Sequence, residues 1–283
     1  RLLPRAAFWL AGAAAVAVVF SIAASQILLA LALAALLVSG TKLRFPPVGL
    51  PLALFVAGTV ASLAFSADAV EGRPQLRKLV LFVTLLVVYS TFRELRHLRG
   101  LVLFWGGAAT AGAARGLVQF VEKYREAQFA GRGFYEYYVG ERITGFQSHW
   151  MTFSGQILIA GLLIAAFLLF SPSARGKWWW FGAGCLAALG AATVLGFTRS
   201  IWLAGGVSGL YLVAFWRRRL LWAVPVLVVF GVWLAPGAVR QRVASVFRPH
   251  GDMDSNQFRI VCWRTGWRMI QAHPLLGLGP EQV

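Results

Sequence analysis

The sequence predicts an all-α fold, a polytopic bundle of about nine transmembrane helices. Hydrophobic residues make up 59% of the 283 residues, charged residues only 13%, and the mean hydropathy is +0.69. Soluble domains carry about 25% charged residues. The apolar residues are also grouped into long runs, as a helix that crosses a bilayer core of about 30 Å requires.

Nine apolar runs are predicted to span the membrane. Arg5 followed by an apolar run imitates a signal peptide, but a second run begins at Ile27, so we expect a helical hairpin at the N-terminus. The predicted spans are residues 6–22, 26–40, 46–65, 78–92, 100–119, 150–171, 178–197, 201–216 and 220–235.

The connections between these spans predict the orientation. Four short basic connections fall on one side when the spans alternate, and that side is expected to be cytoplasmic: residues 42–44, 93–99, 173–177 and 217–219. The opposite side then carries residues 120–149, the turn 197–200 and residues 236–283. We therefore predict a membrane domain over 1–235 and an extracytoplasmic loop over 236–283. Membrane orientation and anionic ligands explain the net charge of +17 better than nucleic acid does, because no soluble domain carries it.

Residues 257–272 have the pattern of an amphipathic helix. Four apolar residues, Ile260, Trp263, Trp267 and Ile270, fall within about 80° of one another on a helical wheel. Arg264 and Arg268 flank this stripe on one side and Arg259 on the other. An alternative to ligand binding is an interfacial helix whose arginines reach the lipid headgroups.

The helix should end near Ala272, because His273 precedes Pro274 and a residue before proline avoids helical geometry. Gly277 and Gly279 permit the tight turns and close backbone approach that a ligand-binding loop needs. His273 is a candidate base, with a structural role as the alternative.

Two other outer segments carry candidate ligands. Arg142 and His149 precede the span at 150–171, where interhelical hydrogen bonding is the alternative. Arg199 lies in the tight turn between two spans. It either anchors at headgroups or contacts a lipid-linked phosphate, for which a guanidinium suits paired oxygens.

A metal site is not predicted. Asp252, Asp254 and Asn256 have the alternate spacing of a calcium loop, but Gln257 and Trp263 replace its glycine and its bidentate glutamate. The two cysteines, Cys185 and Cys262, form neither a disulfide framework nor a CxxC motif.

Three ordered motifs carry a family resemblance: RITGFQSHWMTFSGQ from residue 142, TRSIWLAGG from residue 198, and the segment 239–280 ending in HPLLGLGP. Together they resemble the O-antigen ligase and polymerase superfamily, whose long outer loop has an arginine, a tryptophan four residues later and a closing His-Pro-Leu-Leu-Gly-x-Gly-Pro. Here these are Arg259, Trp263 and residues 273–280. Family members continue into further spans, so the chain is expected to be a C-terminally truncated fragment.

The resemblance implies a GT-C-like, inverting and metal-independent glycosyltransferase without a cofactor. Its donor would be a glycan on undecaprenyl diphosphate, and its acceptor a hydroxyl such as that of a lipid A-core sugar, at the periplasmic face of the bacterial inner membrane. Arg199 and Arg259 would stabilise the diphosphate, with Arg142, Arg264 and Arg268 as further ligands. His273 would be the base, and His149 competes for that role.

Other functions stay open at this point. A polymerase would extend one lipid-linked glycan with another, and a further relative would glycosylate protein; both share the donor chemistry. A transporter would bind lipid diphosphate without breaking a bond, but it usually shows two related halves and charges near the midplane, and we find no internal repeat.

Overall fold

The computed structural model describes residues 2–66, 68–171, 176–245, 255–275 and 277–279. Every regular element in these ranges is helical, which confirms the predicted all-helical class. The α-helices are α1 Leu2–Ala17, α2 Ile22–Val38, α3 Gly49–Ala64, α4 Ala69–Leu76, α5 Leu81–Thr91, α6 Leu95–Phe129, α7 Phe134–Gly140, α8 Trp150–Phe170, α9 Lys177–Leu195, α10 Arg199–Arg217, α11 Val224–Leu234, α12 Gly237–Ala244 and α13 Ser255–Ala272.

Four helical segments of the described chain are long and apolar enough to cross a membrane: Ala69–Thr91, Leu95–Phe129, Trp150–Phe170 and Lys177–Leu195. Leu2–Ala17, Ile22–Val38 and Gly49–Ala64 are apolar but shorter. The predicted spans at 201–216 and 220–235 correspond to α10 and to a 3-10 helix at Arg218–Ala223 followed by the short α11. The chain is therefore a helical membrane protein, and four of the nine predicted spans meet both requirements.

The end of α1 and the start of α2 each lie about four residues earlier than the sequence predicts. Residues 18–20 form the turn between α1 and α2, and Ser21 Oγ accepts a hydrogen bond from Ala24 N at 3.3 Å, in the manner of an N-cap. The Gln147 side chain donates to the Val18 and Val19 carbonyls at 2.9 and 2.7 Å. These contacts satisfy backbone groups that the end of α1 leaves without helical partners.

The chain forms two compact units. Unit 1 contains Arg1–Ala11, Leu28–Leu95 and Pro249–Val283, and unit 2 contains Gly12–Ile27 and Arg96–Arg248. The predicted boundary between a membrane domain and a loop at residue 235 stays a prediction.

In unit 1, polar groups fix the connections around α4 and α5. Asp68 caps α4 by accepting hydrogen bonds from Val70 N and Glu71 N at 2.9 and 3.1 Å. Ser90 Oγ at the end of α5 accepts from Arg44 N at 3.0 Å, which holds the segment before α3 beside α5. α13 also belongs to this unit.

The core of unit 2 is built around Phe153 on α8. Phe153 is 2% exposed. Its ring packs against Gly116 on α6 and Gly145 in the loop between α7 and α8. The packing is so close that a Cβ at Gly116 would lie 2.8 Å from the ring. Small residues at these positions leave space for the aromatic ring, as interior packing density requires. Ile143, Ile157 and Leu189 complete the centre of this core.

The loop between α7 and α8 is tied to α6. Gln119 Oε1 accepts hydrogen bonds from Thr144 N and Gly145 N at 3.0 and 2.8 Å, and Gln119 Nε2 donates to the Gly145 carbonyl at 3.0 Å. Gly145 has a φ of +61°, a conformation that L-residues with a side chain rarely adopt. The loop that carries Arg142 therefore has a defined backbone position.

Replacing Gly145 with alanine should lower the free energy of unfolding by about 2 kcal/mol. The new Cβ would lie 2.4 Å from Phe153 Cε2 and 3.0 Å from the Gly112 carbonyl oxygen, at a positive φ. The measurement is the thermal midpoint of the purified protein in detergent. Gly107→Ala is the matched control, because Gly107 has open space around it on α6; equal midpoints for the two variants would contradict the described packing.

Candidate functional site

A strained turn between α9 and α10 organises the candidate site. Phe197 has a φ of +49°, which is uncommon for a residue with a side chain and costs free energy. The Phe197 side chain is fully buried, with its ring 5.0 Å from Tyr138 and 6.2 Å from Trp202 between centroids. Aromatic packing thus holds the turn in its unusual conformation.

Two aromatic donors satisfy backbone carbonyls at the end of α9. Tyr138 Oη donates to the Leu195 carbonyl at 2.6 Å, and Trp202 Nε1 donates to the Thr193 carbonyl at 3.0 Å. Burial raises the pKa of the Tyr138 phenol above its usual value, so this group stays a protonated donor at neutral pH. The turn is therefore fixed by hydrogen bonds as well as by packing.

Arg242 on α12 binds the strained residue directly. Its Nε donates to the Phe197 carbonyl at 2.9 Å, and Arg242 is only 7% exposed. Arg199 Nη1 donates to the Ser245 carbonyl at 2.7 Å, and Ser245 Oγ donates to the Arg242 carbonyl at 2.7 Å. The start of α10 and the end of α12 are thus joined through two arginines.

Arg142 completes a group of three guanidinium side chains. Its Nε donates to the Val139 carbonyl at 3.0 Å, and its guanidinium lies 5.2 Å from the centre of the Trp150 ring. Burial lowers the pKa of Arg142 to about 10, and the positive charges of Arg242 and Arg199 act in the same direction. Arg142 remains charged at neutral pH, so three like charges are held close together. We call Arg142, Arg199 and Arg242 the arginine cluster.

Nearby acids are engaged elsewhere. Glu122 pairs with Arg115 at 3.1 Å, and Glu126 and Glu141 pair with Lys123 at 3.1 and 3.4 Å. Within the described residues, neither Arg142 nor Arg242 forms an ion pair with a carboxylate. A buried charge without a counter-charge is costly, so an anionic group bound beside Arg142 and Arg242 would lower the free energy of this arrangement.

An apolar cavity of about 510 Å³ borders the same turn. The Phe197 ring forms part of its wall, and Val239 lines it three residues before Arg242 on α12. The remaining wall is apolar and includes three further aromatic residues, Phe120, Tyr124 and Phe134. Phe197 therefore lines an apolar space while its carbonyl binds a guanidinium.

His149 caps α8 beside the arginine cluster. Its Nδ1 accepts a hydrogen bond from Met151 N at 3.2 Å, and its ring stacks on Trp150 with 4.2 Å between centroids. A ring nitrogen that accepts a hydrogen bond carries no proton, so any proton of the neutral ring is on Nε2. Trp150 contacts both His149 and Arg142, which relates two of the predicted residues through one indole.

α13 carries the other predicted residues. The helix ends at Ala272, as predicted, and Gly277 and Gly279 have φ values of +68° and +98°. The two glycines therefore provide the left-handed backbone that the sequence suggested, and Gly277 N donates to the His273 carbonyl at 3.1 Å.

Arg259 and His273 are separated along this helix. At about 1.5 Å of rise per residue they lie roughly 20 Å apart along the axis. Arg264 and Arg268 are nearer to His273. All four side chains are exposed. The structure brings Arg142 and Arg199 together in unit 2, while the α13 residues belong to unit 1.

Arg242 is a residue of the site that was not predicted from the sequence. A signal was present: Val239 and Arg242 are three residues apart in a short helix after Pro236, so they share a face, and both are buried. Asp252, Asp254, Leu276 and Pro280 lie outside the described residues. Within the described part of the chain, no group of three or more His, Cys, Asp and Glu residues could hold a metal ion.

The fold defines a helical membrane protein, and the turn between α9 and α10 has arginines on one side and an apolar cavity beside it. Residues 183–283 match the family described as O-antigen ligase, which confirms the predicted resemblance to the O-antigen ligase and polymerase superfamily. The match covers about the last third of the chain and includes Arg199, Arg242 and α13, whereas Arg142 and His149 precede it. No curated protein and no solved structure matches the chain. The family indicates a glycosyltransferase-like enzyme of the ligase or polymerase type, with lipid-linked glycans as substrates.

Tyr138→Phe should reduce the free energy of unfolding by about 1 to 2 kcal/mol, because the buried Leu195 carbonyl loses its donor. Tyr137→Phe is the matched control, since the Tyr137 hydroxyl bonds the exposed Glu126, and it should change stability by less than about 0.5 kcal/mol. Thermal unfolding in detergent measures both. A loss for Tyr137→Phe as large as that for Tyr138→Phe would contradict the role of the buried hydroxyl.

Proposed function

We propose that the protein is an inverting, metal-independent glycosyltransferase that needs no cofactor. It transfers a glycan from undecaprenyl diphosphate to an acceptor hydroxyl, such as that of a lipid A-core sugar, at the periplasmic face of the bacterial inner membrane. In this proposal all nine apolar runs contribute to a GT-C-like bundle, and residues 236–283 belong to the extracytoplasmic side. The family match supports the general class.

The observation that carries the proposal is the arginine cluster beside an apolar cavity. Arg142, Arg199 and Arg242 supply concentrated positive charge, and Phe197 lines the neighbouring cavity of about 510 Å³. A lipid-linked diphosphate has the same two parts, an anionic headgroup and an isoprenoid chain. Guanidinium groups bind phosphate oxygens in pairs, and the apolar cavity wall suits the first isoprene units.

The chemistry of transfer explains why fixed arginines are needed. The acceptor hydroxyl oxygen attacks the anomeric carbon while the bond from this carbon to the diphosphate oxygen breaks, so negative charge accumulates on the leaving diphosphate. Donors that are held in place before the reaction stabilise such charge without reorganisation. Hydrogen bonds to the Phe197, Ser245 and Val139 carbonyls hold the three side chains of the arginine cluster.

His273 is the proposed general base. Its neutral imidazole takes the proton of the acceptor hydroxyl as attack proceeds, a contribution of about 10² to 10⁴ in rate. Arg264 and Arg268, nearer to His273 on α13 than Arg259, are proposed substrate ligands. Because Arg259 and His273 are about 20 Å apart along α13, they act on different parts of the substrates; Arg259 is assigned to the diphosphate-bearing donor.

A polymerase that extends lipid-linked glycans is the alternative within the same chemistry, and it differs only in its acceptor. A transporter of lipid-linked glycans is a more distant alternative, because it would need the anion-binding residues but no base. Incubation of the purified protein with a lipid-linked oligosaccharide separates these functions: a transferase releases undecaprenyl diphosphate, whereas a transporter leaves the donor intact.

Arg242→Lys and Arg199→Lys should each lower the rate of donor cleavage by about 10²-fold. An ammonium cannot reproduce the planar fork that bonds a backbone carbonyl and a phosphate together. The assay is release of undecaprenyl diphosphate in membranes with equal amounts of inserted protein. Arg125→Lys, at an exposed site on α6, is the control, and equal rates for all three variants would remove the arginine cluster from the site.

His273→Ala should abolish glycan transfer while the variant still inserts and still binds the lipid-linked donor. Donor binding is retained because the imidazole acts on the acceptor. His149→Ala tests the competing base, and His97→Ala, in a basic connection on the predicted cytoplasmic side, is the control. Wild-type transfer by His273→Ala combined with loss of transfer by His149→Ala would reassign the base.

Arg259→Lys should reduce turnover at saturating acceptor, because the guanidinium is assigned to the donor. The same variant should leave the apparent affinity for the acceptor unchanged. Steady-state kinetics with each substrate varied in turn provide the measurement. A change confined to acceptor affinity would contradict this division of roles along α13.

A further inference from the structure

α13 presents an exposed apolar surface. Trp263 is 78% exposed and Trp267 62% exposed, and Ile260 and Ile270 on the same stripe are also exposed. Contiguous exposed apolar patches of this kind mark sites of interaction with protein or membrane. The stripe therefore needs a partner that accepts indole and branched aliphatic side chains.

The charge of α13 identifies the chemistry of that partner. The helix contains three arginines and no Asp or Glu over its whole length. Arg264 and Arg268 flank the stripe on one side and Arg259 on the other, so positive charge borders the apolar surface along both edges. A partner with an apolar interior and anionic groups at its boundary would complement this pattern.

We propose that α13 lies in the plane of the membrane, with its tryptophan stripe toward the acyl chains and its arginines at the level of the anionic headgroups, the depth at which the phosphates of a lipid-linked donor also lie. Tryptophan prefers the boundary between headgroups and hydrocarbon, and arginine side chains extend from that depth to phosphate. α13 belongs to the same unit as the apolar helical segments Gly49–Ala64 and Ala69–Thr91, which is consistent with a position at the bilayer. A parallel orientation would hold His273, directly after the helix, at headgroup level.

This membrane association depends only on the surface of α13, and it stands or falls separately from glycan transfer. The chain offers a built-in probe, because Cys262 is exposed on α13 and the only other cysteine is Cys185. On a helical wheel Cys262 and Thr265 lie away from the stripe, whereas Ile260 and Ile270 lie within it.

The test uses the full chain with Cys185→Ala, reconstituted in vesicles that contain phosphatidylglycerol. An environment-sensitive fluorophore is attached at the native Cys262 or, with Cys262→Ser, at Ile260→Cys, Ile270→Cys or Thr265→Cys. We expect blue-shifted emission and several-fold stronger quenching by brominated acyl chains at positions 260 and 270 than at 262 and 265. Two positions on each face keep the comparison valid if one label perturbs the helix.

Charge is tested in the same preparation. Pure phosphatidylcholine vesicles, high salt, or Arg264→Gln combined with Arg268→Gln should each reduce the difference between the two faces, whereas Arg125→Gln on α6 should not. Equal quenching on both faces, or none at 260 and 270, would overturn the proposal. Protection of the stripe that rises with protein density and ignores brominated lipid would also overturn it and would assign the stripe to a second copy of the chain.

Discussion

The hydrogen bond from Arg242 to the Phe197 carbonyl is the contact on which the arginine-bearing end of unit 2 depends. It satisfies a carbonyl exposed by a backbone conformation that is rarely stable for phenylalanine, and it brings α12 against the turn between α9 and α10. The same contact holds the guanidinium of Arg242 next to those of Arg142 and Arg199. A turn with ordinary geometry would leave this carbonyl directed differently, and the charges would not converge.

Packing holds these positive charges together, and neither Arg142 nor Arg242 pairs with a carboxylate among the described residues. Tyr138, Trp202 and Phe197 form an aromatic layer under the arginine cluster, and the acids of the outer segment pair with Lys123 and Arg115. Like charges repel most strongly where water is excluded, which agrees with the lowered pKa of Arg142. The fold thus stabilises an electrostatic arrangement that its own charges oppose, as is common at binding sites.

Much of the architecture could be predicted from the sequence because the bilayer imposes simple rules on composition and length. The limits of α8 and α9 and the end of α13 follow from apolar runs and from Pro274. The turn between α1 and α2 was misplaced, because its position depends on Gln147, a residue remote in sequence. Arg242 was missed for a similar reason: its burial results from packing around Phe197, and local spacing gives only a weak indication of this contact. Arg142 and Arg199 could be proposed as ligands, but their proximity required the fold.

The length of α6 has a mechanical consequence. Its 35 residues give a continuous rod of roughly 52 Å, longer than the hydrocarbon core of about 30 Å. The charged residues Glu122, Lys123, Arg125 and Glu126 lie in its last turns, so the excess length projects beyond the lipid at that end. Gln119, the last residue of the predicted span 100–119, binds the loop that carries Arg142 at the base of this projecting part. Because α6 is one continuous helix, it fixes the distance between the hydrocarbon core and the loop that carries Arg142.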